Sequence, residues 1–165
     1  MTIKADIFLY GDDVNTDVIF PGKYTYTITD PNEMAKHAME DLDPDFVKTV
    51  KAGDAIVAGK NFGCGSSREQ AATCLKYSGV SVIAAESFSR LFYRNAINSG
   101  LPLVVVKDIG KKVKKSEQIE VDFEKGVLKC QAGEFNFPPL PNEVLGIVKA
   151  GGLIPYIRKK VGMES

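Results

Sequence analysis

A chain of 165 residues with 44% apolar and 25% charged residues has enough material for a buried core and no more than one α/β unit. Its 21 Lys and Arg balance 21 Asp and Glu, so nothing in the net charge draws it to nucleic acid or to an anionic membrane. Cys64, Cys74 and Cys130 lack paired spacing and His37 is the single histidine, which excludes a disulfide framework and gives no metal-ligand set. No leader-like segment and no apolar run of membrane-spanning length is present, so a reducing cytoplasm is the expected setting.

The first stretch, KADIFLYG, reads as a short strand ending at Gly11. DDVNTDVIFPG follows, rich in residues that compete for backbone hydrogen bonds, and then GKYTYTITDP, a polar and aromatic surface loop closed by Pro31. From Asn32 to about Leu42 the spacing of Met34, Ala38 and Leu42 predicts a helix, with His37 in a surface or packing role. DAIVAGKNF gives a buried strand over residues 55–58 and a glycine-containing loop. SREQAATCLKYSG places Ala71, Ala72 and Leu75 on one helical face, with Gly79 as the stop. VSVIAAE is a second apolar strand, FSRLFYRNAINSG a second amphipathic helix ending at Gly100, and LPLVVV a third strand. Strand, helix, strand, helix, strand implies a right-handed parallel core. QIEVDFEKGVLKC alternates around residues 124–126 as a hairpin would. FNFPPLP turns into a final helix, PNEVLGIVKAGG, followed by IPYIRKK. The expected architecture is a single α/β domain over residues 1–165, with a parallel core and additional antiparallel strands.

The stretch most informative about chemistry is G-C-G-S-S-R-E-Q-A-A, from Gly63 to Ala72. Gly63 and Gly65 admit left-handed backbone and close approach of a ligand. A loop that leaves a strand and opens a helix turns free N–H groups and the positive helix end toward one space, which suits an anion. Arg68 adds a planar fork that matches a carboxylate. A blander account stands beside this one: Ser66 and Glu69 have the spacing of a capping box, which by itself would explain the serine. Arg68 breaks the helix-dipole rule in that account, and such a breach points to function. Asp17, in D-V-N-T-D, reads from its own chemistry as a turn aspartate. The dinucleotide fingerprint is absent, because Arg68 occupies the place of its third glycine, which argues against a Rossmann cofactor site.

Three ordered motifs, G-D-D-V-N-T-D-V-I-F-P-G-K-Y, N-F-G-C-G-S-S-R-E-Q-A-A and E-S-F-S-R-L-F-Y-R-N-A-I-N-S-G-L-P, resemble the small subunit of isopropylmalate dehydratases and homoaconitases. The same pattern is similar to the mobile C-terminal domain of aconitases, and a looser likeness reaches the G-G-L-I-P-Y-I ending. The resemblance implies a β/β/α swivelling-domain fold that closes over a four-iron four-sulfur cluster held by a separate large subunit, with no metal bound by this chain. It implies stereospecific removal and re-addition of water on a small hydroxy-dicarboxylate. On the matching positions Ser66 would be the catalytic base and Arg68 the grip on a substrate carboxylate. Ser67 and Gly65 would lie beside them in the binding loop. Asp17 would orient a histidine supplied by the large subunit.

The loop after P-G reads the substrate's distinguishing substituent in this family. Homoaconitases carry Y-L-R-T there, whereas this chain has Y-T-Y-T, with Tyr24, Thr25, Tyr26 and Thr27. Tyr26 in place of the arginine removes a charge-assisted partner for an extra carboxylate, at a cost of a few kcal/mol (about 1–3) in a closed site. An isopropyl substituent is therefore expected first. A smaller branched malate such as dimethylmalate or citramalate comes second, because Thr25 is polar where relatives are aliphatic, and homoaconitate or citrate third. A stand-alone dicarboxylate-binding module is the alternative of another class, and an RNA-binding role is disfavoured by the zero net charge. Self-association of the free subunit is left open by the sequence.

Overall fold

The computed structural model describes residues 1–163, and the chain enters it on β1 (Thr2–Leu9). Along β1 the odd-numbered Ile3, Ala5, Ile7 and Leu9 all join one apolar cluster, while Phe8 and Tyr10 turn to the other. Lys4 and Asp6 are exposed, so the first half of β1 buries one face and the second half both. The period of two thus changes meaning midway along one strand.

The chain then forms α1 (Thr16–Ile19), a 3-10 turn at Gly22–Tyr24, α2 (Pro31–Ala35) and α3 (Phe46–Thr49). Next come β2 (Ala55–Ala58), α4 (Glu69–Tyr77), β3 (Val82–Ala85), α5 (Arg90–Asn98) and β4 (Leu103–Val105). The last part is α6 (Ile109–Lys112), β5 (Gln118–Asp122), β6 (Val127–Cys130), β7 (Gly133–Asn136), α7 (Asn142–Ala150) and α8 (Leu153–Lys160). The seven strands form one sheet in the order β4-β3-β2-β1-β5-β6-β7. From β1 through β4 the pairings are parallel, and from β1 through β7 on the other side they are antiparallel. The joint is β1 itself: Thr2 to Asp6 pair with β5, and Ile7 to Leu9 pair with β2.

Strands β2 and β3 are buried along their whole length, as parallel strands covered on both faces must be. Ile56, Ala58, Ile83 and Ala85 face a core shared with Ala71, Leu75, Phe92 and Ala96 from α4 and α5. Ala55, Val57, Val82 and Ala84 face the second core, which Ile109, Phe123, Leu128, Phe137 and Leu145 complete. The expected parallel core with added antiparallel strands is what the chain builds.

One long helix expected over residues 32–42 is much shorter. It stops after Ala35, and Met39 adopts φ +60° with a fully buried side chain. Met39 N–H donates to Ile19 O at 2.7 Å, a tertiary bond that replaces helix continuation. The strand β7 and the short helices α1, α3 and α6 were not distinguished in the sequence, being too brief to show a period.

Lys76 of α4 ties the helical layer together. Its Nζ donates to Ser99 O and, at 2.8 Å, to Gly151 O, the carbonyls that end α5 and α7. A cation on two helix C-termini satisfies orphan acceptors and complements both dipoles. Lys76→Met is expected to cost about 1–3 kcal/mol, read as a lower urea midpoint at unchanged slope. An unchanged midpoint would mean that water serves those carbonyls equally well.

Candidate active site

At the end of β2 the chain enters the loop that runs to α4. Asp12 Oδ1 accepts from Lys60 N at 2.7 Å, Asn61 N donates to Ser87 Oγ at 2.7 Å, and Gly63 N donates to Val14 O at 2.7 Å. These bonds seat the loop between the segments that follow β1 and β3. Gly63 has φ +81°, and a Cβ there would overlap the Phe92 ring, 2.8 Å from Cδ1. Gly65 has φ +95°, but a Cβ there would meet Thr16 Oγ1 at 3.5 Å and Asn15 Cβ at 3.6 Å, both ordinary contacts. Both glycines are left-handed, as the sequence requires, yet Gly63 is needed for close packing on a helix rather than for ligand approach.

Asn15 caps α1: its Oδ1 accepts from Asp17 N at 2.8 Å and Val18 N at 3.1 Å. That cap sets Asp17 on the first turn, where its Oδ1 lies 2.6 Å from Arg68 Nη1. The pair is close but poorly aligned, so Nη1 is buried without a hydrogen-bond partner among the described residues. The guanidinium also lies against Gly22, where a Cβ would come within 2.9 Å of Nη1 and 3.1 Å of Nη2. The glycine of the P-G pair is thereby the floor under Arg68. Arg68 itself stands at the N-cap position of α4 with extended backbone.

The capping-box account of Ser66 is corrected by this start. The helix begins at Glu69, Arg68 holds the cap position, and the Ser66 side chain makes no hydrogen bond among the described residues. Ser66 and Ser67 are exposed, and the serine hydroxyl is left available for chemistry. Ser66 O accepts from Thr16 Oγ1 at 2.8 Å.

Tyr24, Tyr26 and Thr27 follow Gly22 in the chain, and among the described residues none of them hydrogen-bonds to the Ser66 loop. The Tyr24 hydroxyl donates to Glu40 Oε2 at 3.2 Å, and its ring stacks on His37 at 4.0 Å between centroids. The His37 ring, bonded to Glu40 at 2.9 Å, holds that carboxyl below its usual range, with the Tyr24 hydroxyl adding to the effect. His37 is therefore a packing residue, as expected. Thr25 Oγ1 is buried with no partner among the described residues, where an aliphatic side chain would lose nothing. Tyr26 is 94% exposed, and Thr27 is exposed beside it.

Among the described residues no three His, Cys, Asp or Glu gather in a way that could hold a metal ion. Cys74 is fully buried, its Sγ directed to Ala71 O and Ile19 O, and burial pushes its thiol up. Cys64 and Cys130 are half-buried on different parts of the fold. Among the described residues the donor set does not fit an iron–sulfur cluster. Sequence reasoning missed Asn15, Thr16 and Gly22; only Asn15 left a signal, as a capping residue ahead of an apolar turn.

The stretch that carries this loop, together with β2, β3 and β4, is the part matched by a family model. Residues 15–108 match the model of the aconitase C-terminal domain. The chain belongs to that aconitase-type family. A 3-isopropylmalate dehydratase small subunit from Halothermothrix orenii is 49% identical over 96% of this chain and 96% of its own length. An isopropylmalate/citramalate isomerase small subunit from Methanocaldococcus jannaschii is 49% identical over 96% of this chain and 95% of its own. The crystal structure of a 3-isopropylmalate dehydratase from the same archaeon superimposes with a TM-score of 0.91 at 42% identity, covering 99% of this chain and 97% of that one. The family match begins at Asn15 and ends at Asp108. It thus takes in the Asp17–Arg68 pair and the Ser66 loop and leaves out β1 and the three antiparallel strands β5, β6 and β7. Those three strands lie on the side of β1 away from the loop.

Proposed function

We propose that this chain is the small subunit of a heteromeric hydro-lyase. It interconverts 2-isopropylmalate and 3-isopropylmalate by loss and re-addition of water in leucine biosynthesis. The observation that carries the reading is the Ser66–Arg68 loop: an uncommitted serine hydroxyl beside an arginine already held against a carboxylate, within a chain similar along nearly its full length to small subunits of that name. In this reading residues 1–165 act as one swivelling unit in the cytoplasm and turn over substrate only with the large subunit. No helix among the described residues is long and apolar enough to cross a membrane, which fits that setting.

Arg68 exchanges Asp17 for a substrate carboxylate, or shares its remaining donors with it, because five N–H groups serve more than one acceptor. Asp17, with a side chain 60% exposed, keeps the guanidinium in place while the site is open. The same aspartate is the partner for a histidine of the large subunit. Ser66 Oγ, as the alkoxide left when its own proton passes to solvent before closure, takes the proton from the carbon next to the leaving hydroxyl, becomes the hydroxyl, and returns that proton in the reverse addition. Exposed loop amides, Gly65 and Ser67 among them, and the positive end of α4 lower the cost of the serine oxyanion once water is excluded. In this reading the four-iron four-sulfur Lewis acid would be held by the large subunit and would polarise the leaving hydroxyl.

Tyr24, Tyr26 and Thr27 form the wall that meets the substrate's substituent on closure. The only cation in that turn, Lys23, faces Glu40 at 3.9 Å, so an additional carboxylate would find no charge there. The Methanocaldococcus relative, named for both isopropylmalate and citramalate, favours a smaller methylated malate as the second reading. Anaerobic assembly with a cluster-loaded large subunit, assayed on isopropylmalate, dimethylmalate, citramalate and homoaconitate, tests the order. Isopropylmalate is expected to show the highest kcat/KM. Dimethylmalate or citramalate in first place would move the reading to the smaller substrate, and dicarboxylate binding by the free chain without any turnover in the complex would replace it with a binding module.

A further inference from the structure

We propose that Thr16 is a positioning residue that sets the conformation of the catalytic loop by holding two alternate carbonyls, and that its hydroxyl is the part that matters; the inference rests on the role given to Ser66 above. Thr16 is 2% exposed at the start of α1. Its N–H donates to Cys64 O and its hydroxyl to Ser66 O, each at 2.8 Å.

Peptide groups are planar and trans, and this chain has no cis bond, so a carbonyl turned inward turns the next N–H outward. The two anchors therefore point Gly65 N–H and Ser67 N–H away from Thr16, and neither donates within the described residues. Ser66 lies between them. These two free amides flank Ser66 in a turn entered through a left-handed glycine, and they are available as donors to an anionic oxygen there.

The two anchors are not equivalent. Any residue but proline at position 16 supplies the N–H, whereas the bond to Ser66 O needs a hydroxyl. That bond is also the only hydrogen bond made by residues 65–67 among the described residues; the next along the chain is Ala71 N to Arg68 O at 3.3 Å. Without it, the stretch from Gly65 to Ser67 swings on a glycine with nothing to fix the Ser66 peptide plane.

The test uses the assembled two-subunit enzyme carrying Thr16→Val, which keeps shape and burial, and Thr16→Ser, which keeps the hydroxyl. Thr16→Val is expected to lower kcat on the order of a hundredfold, the scale of a misplaced catalytic group, while KM moves far less. The limb of the pH–rate profile that reports the base shifts upward in Thr16→Val and returns in Thr16→Ser. In the free subunit, the amide resonances of Gly65 and Ser67 move in Thr16→Val while those of Ile56 and Ile83 in the sheet stay put. Wild-type kcat in Thr16→Val with a dead Ser66→Ala control would overturn this proposal alone. An active Ser66→Ala control would overturn the functional reading and this inference with it. A Thr16→Ser enzyme as slow as Thr16→Val would show that bulk, not the hydroxyl, was at stake and would also overturn it.

Discussion

Ser66→Ala in the assembled enzyme is expected to lose turnover by roughly a thousandfold to ten-thousandfold, at the upper end of what one proton-transfer group contributes. The size follows from how little else the serine does. Its hydroxyl makes no hydrogen bond among the described residues, it caps no helix, and it is exposed, so removing one oxygen leaves the fold without a lost contact. The variant should assemble with the large subunit and melt at the wild-type temperature within the scatter expected of a surface substitution, about 0.5 kcal/mol. KM should stay near its wild-type value, because the proposed carboxylate grip lies on Arg68 and not on Ser66. The complementary change, Arg68→Lys, separates the two roles: it keeps the charge, loses the planar fork beside Asp17, and should act mainly on KM. A Ser66→Ala enzyme that keeps its rate, measured as single turnover with cluster-loaded partner, would remove the serine from the chemistry. The loop would then be an anion site and nothing more.

Much of this arrangement is written locally. Residues 55–58, 82–85 and 103–105 announce themselves as short apolar runs, and the helices between them by alanine and leucine spacing and terminal glycines, so the parallel half is readable in order. The Gly63–Arg68 loop is readable too, since glycine, serine and arginine at a strand-to-helix turn carry a physical meaning of their own. What the local pattern does not contain is partnership across the chain. That β1 splits its pairing depends on Ala55 to Val57 of β2 and on β5 residues more than a hundred positions away. Met39 leaves the helical path because Ile19 O is offered to its N–H, a bond no window around residue 39 could reveal. The Asp17–Arg68 pair and the Thr16–Ser66 bond likewise join segments that meet only after β1 and β2 have paired. From its own chemistry Asp17 could be read only as a turn residue, and Thr16 could not be singled out at all.

Gly63→Ala is expected to be the most destabilising single-methyl change in the loop, by about 2–5 kcal/mol. Two independent costs combine. An L-residue held at φ +81° pays roughly 1–2 kcal/mol for the left-handed region, and a Cβ inside the Phe92 ring overpacks the core by about 1–3 kcal/mol. Gly65→Ala separates these costs, because its φ of +95° demands the same backbone freedom while its nearest neighbour, Thr16 Oγ1, would sit at an ordinary 3.5 Å. It should cost only the first amount, about 1–2 kcal/mol. Phe92→Ala supplies the second control: by itself it opens a cavity worth about 3–5 kcal/mol, but combined with Gly63→Ala the new methyl occupies part of that space. The double variant should therefore be more stable than the sum of the singles predicts, by about 0.5–3 kcal/mol of coupling. Urea unfolding of the four proteins reads all of these values. If Gly63→Ala and Gly65→Ala cost the same and the cycle closes additively, the Phe92 contact is not what requires glycine. In that case the helix α5 is not the wall that fixes where the loop begins. If the coupling appears, the position of the Gly63–Arg68 loop is set by the packing of a phenylalanine on the far side of its first glycine. Sequence changes in α5 would then be felt at Ser66 without touching it.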